Sequence, residues 1–246
     1  MSHAYQQMAA YYDSWMGGVD YPAWWRYLCS TFDLTADKRL LEAGCGTGTL
    51  TAEMIAQGFS VVASDLSPAM LAQAERKLRG RPNVRLLQLD MRDLPANLGQ
   101  FDVVLATCDA VNYLVKPEHL KEFFTSAAAR LSDGGLLLFD VHGKGRIVDW
   151  GKAPHHNHVS PDSCYLWRAQ LRGSRITHQI TGFTRSEGDV WHRFDELHEQ
   201  RFYSLTEIEH LLKESGLAID KALEFPTRLA ATESAKRVQI SARKQK

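Results

Sequence analysis

Five short apolar runs punctuate the first 142 residues, at 38–43, 60–65, 84–90, 101–109 and 134–142, and the chain between them resumes apolar residues at helical spacing. The helical stretches are 49–57, 67–78 and 117–131; the second opens on Ser67-Pro68, the third on Pro117, and Gly80 and Gly134-Gly135 lie beyond their ends. Apolar strands that alternate with amphipathic helices predict a parallel sheet covered on both faces. All five runs end in or near a polar residue: Gly44, Asp65, Asp90, Asp109 and His142. In an open α/β sheet that carboxyl edge is where ligands bind.

The pattern changes after His142. Aromatic and β-branched stretches at 164–171, 175–184 and 190–203, separated by Arg172-Gly173-Ser174 and Ser186-Glu187-Gly188-Asp189, predict a three-stranded antiparallel insertion over 159–204. A capping box at Ser204-Leu205-Thr206-Glu207 opens a further helix, and strands at 217–225 and 236–243 complete the sheet with a hairpin edge. The expectation is therefore a single α/β domain over 1–246: a seven-stranded, mostly parallel sheet with helices on both faces, plus a β-rich cover. Residues 5–32 carry nine aromatics, from Tyr5 to Phe32, which helical spacing can either plaster onto the sheet or present as a lid over residues 1–32.

Composition narrows the partners. Lys plus Arg equals Asp plus Glu at 29 each, so no excess positive charge is available to hold a phosphate backbone, and nucleic acid is not implied. No apolar stretch approaches the ~18 residues a membrane helix needs, and the N-terminus lacks a basic region followed by an apolar core, so the expected compartment is cytoplasmic. Cys29, Cys45, Cys108 and Cys164 form no C-x-x-C pair and read as reduced thiols. His155-His156-x-His158 lacks a metal-ligand spacing with a nearby acid; it reads as a solvent loop, and no metal is expected.

The candidate chemistry centres on Glu42-Ala43-Gly44-Cys45-Gly46-Thr47-Gly48. Glycines at alternate positions allow positive φ and let a flat or anionic ligand lie against the backbone at a helix N-terminus. The spacing G-x-G-x-G differs from the G-x-G-x-x-G of dinucleotide folds, which disfavours a dehydrogenase. Asp65 follows Gly44 by 21 residues, the distance at which a second strand brings a carboxylate to a ribose; its competing role is to cap the helix that Ser67 already caps.

The glycine motif, Asp65, Asp90-Met91, the run from Cys108 through Asp109, Asn112 and Tyr113, and Phe139-Asp140-Val141-His142 together resemble a bacterial branch of the class I S-adenosylmethionine (SAM) dependent methyltransferases. The resemblance implies SAM as cofactor and S-adenosylhomocysteine as product. It places Glu42, Gly44, Gly46, Gly48, Asp65, Leu66, Asp90, Met91 and Cys108 around the ligand. There Asp90 would receive the adenine amino group and Met91 pack on the ring. Tyr12 and Trp24 fall where lid aromatics of such enzymes reach the cofactor.

Methyl transfer from a sulfonium requires an aligned nucleophile, exclusion of water and at most one proton acceptor. Asp109, Asn112, Tyr113 and His142 are the polar groups expected around the methyl. His142 has the pKa of a base or the place of a strand cap, and Asp109 can steer an amine or cap a turn. The function expected is methylation of N or O of a small polar metabolite. A SAM-binding sensor would share the ligand residues, and an RNA or protein acceptor would need an open basic groove.

Overall fold

The computed structural model describes residues 5–186 and 188–245; residues 1–4 of the expected lid, Glu187 of the second hairpin turn and Lys246 of the tail lie outside it. The chain opens with a turn of 3-10 helix (Met8–Ala10), α1 (Tyr12–Trp15) and α2 (Tyr21–Phe32). There follow β1 (Arg39–Ala43), α3 (Thr49–Ala56), β2 (Ser60–Asp65), α4 (Pro68–Leu78), β3 (Val84–Gln88) and β4 (Phe101–Ala106), then α5 (Pro117–Arg130) and β5 (Leu131–His142).

These elements build the expected sheet. Its order, completed by β10 (Leu217–Glu224) and β11 (Arg237–Lys244), is β10-β11-β5-β4-β1-β2-β3, and only β11 runs against the rest. Successive residues on a strand face opposite sides, so the continuous apolar runs feed two cores. Leu41, Val104, Leu137 and Phe139 pack on one side with Leu120, Phe123 and Phe124 of α5 and Ile208, Leu211 and Leu212 of α7 (Leu205–Glu214). Leu40, Val103, Leu105 and Leu138 pack on the other with Trp24, Trp25 and Leu28 of α2, Leu50 and Met54 of α3 and Leu78 of α4. The sheet is thus a buried central layer.

Between β5 and α7 the chain forms α6 (Lys144–Lys152) and a second sheet, β6 (His155–Val159), β7 (Ser163–Arg172), β8 (Arg175–Arg185) and β9 (Trp191–Arg201), paired antiparallel in chain order. The insertion therefore has four strands and spans 155–201, where three strands over 159–204 are expected. The added strand is the His155–His158 stretch, which is an edge strand pairing His156 with Trp167 and not a solvent loop. Its composition concealed it: an edge strand is paired on one side only, so its side chains carry little apolar signal, and three of these residues are exposed. α6 was equally hidden, since none of its residues is fully buried.

One glycine fixes the packing of this second sheet. Gly182 on β8 lies opposite Phe194 on β9, and a Cβ at 182 would fall 2.3 Å from the Phe194 ring. The ring crosses the strand where the side chain is missing. It joins Met8, Trp15 and Ile180 in a third apolar cluster, which binds the N-terminal segment to the second sheet. Among the described residues no helix is long and apolar enough to cross a membrane.

Candidate active site

The carboxyl edge of the large sheet gathers the predicted residues. Gly44, Gly46 and Gly48 all have positive φ, at 83°, 56° and 74°. A Cβ on Gly44 would lie 3.0 Å from Ala110 Cβ and 3.3 Å from Met91 Cε, so this glycine lets the turn meet the loops after β3 and β4. Gly46 has nothing within 4 Å of the same position, which leaves the turn open on one side. The turn is laced to the end of β2: Gly44 N and Cys45 N donate to Ser64 O, and Gly46 N donates to Asp65 Oδ2 at 2.8 Å.

Asp65 does two jobs in the protein alone. Its Oδ1 accepts from Ser67 N at 2.8 Å, so both oxygens hold backbone amides, and burial raises its pKa. A carboxylate offers about four acceptor sites, which leaves room for two ribose hydroxyls. Neighbouring Leu66 is exposed, and its carbonyl accepts from Gln88 Nε2. Glu42 is buried and accepts from the Thr51 hydroxyl at 2.5 Å; burial lifts its pKa to about 7, so it braces the turn against α3. Asp90 is held by Arg92, which forks onto both oxygens at 2.6–3.0 Å and keeps the carboxyl below its usual range.

The lid aromatics divide. Tyr12 meets Tyr5 edge to face at 5.6 Å, and burial raises its pKa. Trp24 belongs to the core on Phe225, although its indole also carries the Arg237 guanidinium 4.8 Å from the ring centroid. The residue that latches the segment to the glycine turn is Asp13. Its Oδ1 accepts from Thr47 Oγ1 at 2.6 Å and Thr49 Oγ1 at 3.1 Å, and its Oδ2 pairs with Lys77 at 2.8 Å.

Past β4 the backbone is strained: Cys108 and Asp109 both take positive φ, 58° and 54°, which residues with side chains seldom adopt. Burial pushes the Cys108 thiol up. Asp109 is fully engaged. Its Oδ1 receives Arg237 Nη2 at 3.0 Å, its Oδ2 receives Gln200 Nε2 at 2.8 Å, and its amide donates to Asp140 Oδ2. Arg237 also pairs with Asp140, so one cation from β11 is shared by two carboxylates, and His142, 3.7 Å from Asp109 Oδ2, together with Arg237 holds Asp109 below its ordinary pKa. A role for Asp109 in steering a free amine is thereby weakened, because both of its oxygens already hold a donor.

Asn112 is spent on the backbone as well, its Nδ2 donating to Arg201 O at 2.7 Å and its Oδ1 accepting from His142 N at 3.2 Å. His142 Nε2 contacts Gln200 Oε1 at 2.9 Å, and His178 Nε2 contacts the same oxygen at 3.0 Å. Since Gln200 donates its amide to Asp109, its oxygen accepts, and both imidazoles carry their proton on Nε2. Trp167 Nε1 donates to His178 Nδ1, whereas His142 Nδ1 is buried with no partner among the described residues. Burial lowers the pKa of both histidines, that of His178 to about 4.

Tyr113 faces the second sheet. Its hydroxyl meets that of Tyr5 and lies 3.0 Å from His198 Nδ1. Sequence reasoning missed Arg237, Asp140's role, Gln200, His178, His198 and Glu196. One signal was present: Glu196, His198 and Gln200 follow Phe194 at alternate positions, so a polar row on β9 shares the face of an apolar residue.

An open glycine cradle, a half-buried carboxylate with free acceptor sites and a methionine side chain beside the glycine turn fit SAM. Residues 40–135 match the methyltransferase domain family. Over 244 residues the chain is 31% identical to YqeM of Bacillus subtilis (strain 168), named as a methyltransferase, and the match spans 98% of each chain. It is 42% identical over 194 residues to the magnesium-protoporphyrin O-methyltransferase of Rhodobacter capsulatus, across 76% of this chain and 71% of that one. The crystal structure of a SAM-dependent methyltransferase from Clostridium acetobutylicum superposes with a TM-score of 0.84 at 28% identity, covering 97% of this chain and 98% of that one. Sheet order, glycine turn and full-length kinship agree: the chain belongs to the class I SAM-dependent methyltransferases.

Proposed function

We propose that this methyltransferase transfers the methyl group to nitrogen or oxygen of a small polar metabolite enclosed between the large sheet and the β-rich cover. The observation that carries the reading is Gln200: from β9 it reaches across to Asp109 and His142 at the carboxyl edge, so the second sheet roofs the site. The N-terminal segment closes another side through Asp13 on the glycine turn and Trp15 Nε1 on Ser163 Oγ at 3.0 Å. A roofed site favours a desolvated nucleophile, which supports a small acceptor.

In this reading SAM supplies an electrophilic methyl on a sulfonium. The glycine turn, Asp65, Asp90, Met91, Leu66 and Cys108 position it, with Tyr12 at its lid side, Trp24 in the core beneath and Glu42 bracing the turn. Asp109 and Asn112 are positioning residues that fix the wall after β4. His142 is neutral at physiological pH because burial disfavours its charged form, and its free Nδ1 accepts a hydrogen bond from the acceptor's N–H or O–H. Tyr113, from the turn after β4, sets its hydroxyl between Tyr5 and His198.

The test is incubation of a metabolite extract with methyl-labelled SAM and the full chain, read by mass spectrometry. A labelled small amine or alcohol is the expected result. Label found only in RNA or protein overturns the reading.

A further inference from the structure

Glu196 is the most heavily engaged carboxylate of the second sheet. Its Oε1 accepts the backbone amides of Gln7 and Met8 at 2.7 and 2.9 Å, and its Oε2 accepts Tyr5 N and contacts His198 Nε2, each at 2.8 Å. Three of these four donors come from the N-terminal segment. The fourth leads back to the site, because His198 Nδ1 lies 3.0 Å from the Tyr113 hydroxyl, which in turn meets Tyr5 Oη. Both His198 and Glu196 are nearly inaccessible, at 1% and 3% side-chain exposure.

The direction of each bond follows from the chemistry. An ionised carboxylate only accepts, so His198 Nε2 carries the proton, and its Nδ1 is then a lone pair that the Tyr113 hydroxyl donates to. Tyr113 Oη accepts in turn from Tyr5. The result is a one-way chain, Tyr5 to Tyr113 to His198 to Glu196, with an imidazole oriented by a carboxylate behind a hydroxyl.

We propose that His198 and Glu196 are positioning residues that make Tyr113 the exit for the acceptor's proton, and that docking of the N-terminal segment assembles this relay. The inference rests on the N- or O-acceptor reading. As the acceptor atom bonds to the methyl carbon and the carbon–sulfur bond breaks, the acceptor's proton passes to the Tyr113 oxygen. The proton already on Tyr113 moves to His198 Nδ1. The imidazolium so formed faces Glu196, and S-adenosylhomocysteine leaves neutral at sulfur. Opening the segment withdraws Tyr5 from the chain and three amides from Glu196, so the relay exists only in the closed enzyme. The groups that face His198 are Glu196 on its own strand, His178 opposite on β8, Tyr113 from the turn after β4 with Asp109 behind it, and Tyr5 from the N-terminal segment.

The test uses the full chain, labelled with nitrogen-15 at histidine and loaded with S-adenosylhomocysteine. Long-range proton–nitrogen spectra near neutral pH are expected to show His198 protonated at Nε2, with its Nδ1 signal moved by Tyr113→Phe. A His198 protonated at Nδ1, or one that Tyr113→Phe leaves unmoved, overturns the proposal. Hydrogen exchange supplies the lid arm: Glu196→Gln is expected to accelerate exchange at the Gln7 and Met8 amides by about tenfold or more, the loss of a charge-assisted bond. Unchanged protection there overturns the coupling.

Neither readout depends on the acceptor, so a carbon or sulfur acceptor found by methyl labelling refutes the acceptor reading separately. With an N or O acceptor in hand, His198→Gln is expected to lower kcat by about 10- to 100-fold while KM for the acceptor stays near the parent value. A kcat near the parent value, or a loss confined to KM, overturns the relay.

Discussion

Arg237 Nη2 lies 3.0 Å from Asp109 Oδ1, joining the last strand of the sheet to a strained turn 128 residues earlier in the chain. The same guanidinium serves Asp140, which is 0% exposed. Removing one partner from a buried ionic cluster leaves charge without compensation. Arg237→Gln is therefore expected to destabilise the fold by about 3 to 5 kcal/mol. Urea unfolding monitored by circular dichroism measures it; a loss under about 1 kcal/mol would show that the carboxylates find another partner.

Asp65 couples the cofactor edge to the glycine turn through Gly46 and Ser67. Asp65→Ala is expected to weaken S-adenosylhomocysteine binding by about 1 to 3 kcal/mol, because two ribose hydroxyls lose a charged acceptor and the turn loses its tie. Calorimetry on the folded variant decides. Unchanged affinity removes Asp65 from the site.

The segment proposed as a lid is shorter than the aromatic stretch that suggested it. Trp24, Trp25 and Leu28 of α2 are core residues, so cutting away 1–32 is expected to unfold the sheet. Asp13→Ala instead removes only the latch on Thr47, Thr49 and Lys77. Its expected outcome is an unchanged unfolding midpoint with faster proteolysis within residues 5–16 and weaker cofactor binding. Equal proteolysis rates in the two proteins would contradict a lid.

Two buried groups give stability opposing slopes with pH. His178 has a folded pKa of about 4, below its usual value near ~6.5, so the unfolded chain binds the extra proton and stability falls as pH drops through that window. Glu42 has a folded pKa of about 7, above its usual ~4.3, so the native state holds the proton and stability falls as pH rises between those values. Relative to the parent protein, His178→Gln is expected to gain about 2 to 3 kcal/mol on going from neutral pH to about pH 4.5. Glu42→Gln is expected to gain a similar amount, about 2 to 3 kcal/mol, in the opposite direction. Denaturant midpoints of the three proteins across the window test both signs, and parallel curves would refute them.

The sequence by itself determined the sheet and its edge. Continuous apolar runs broken by helix caps and glycines leave one economical arrangement, and each strand must then end where Gly44, Asp65, Asp90, Asp109 and His142 stand. Positive φ at Gly44, Gly46 and Gly48 was equally legible, because glycine is the residue that takes it without strain. What those side chains do was decided only by folding. Arg237 is one arginine among many until β11 pairs with β5 and sets it opposite His142. Glu196, His198 and Gln200 read as ordinary polar positions on a strand until burial forces each to find a partner, and those partners lie in Tyr5, Tyr113 and Asp109, far away in the chain. Periodicity is local and survives in the sequence, whereas the pairing of buried polar groups depends on which surfaces meet, and only the tertiary structure brings them together.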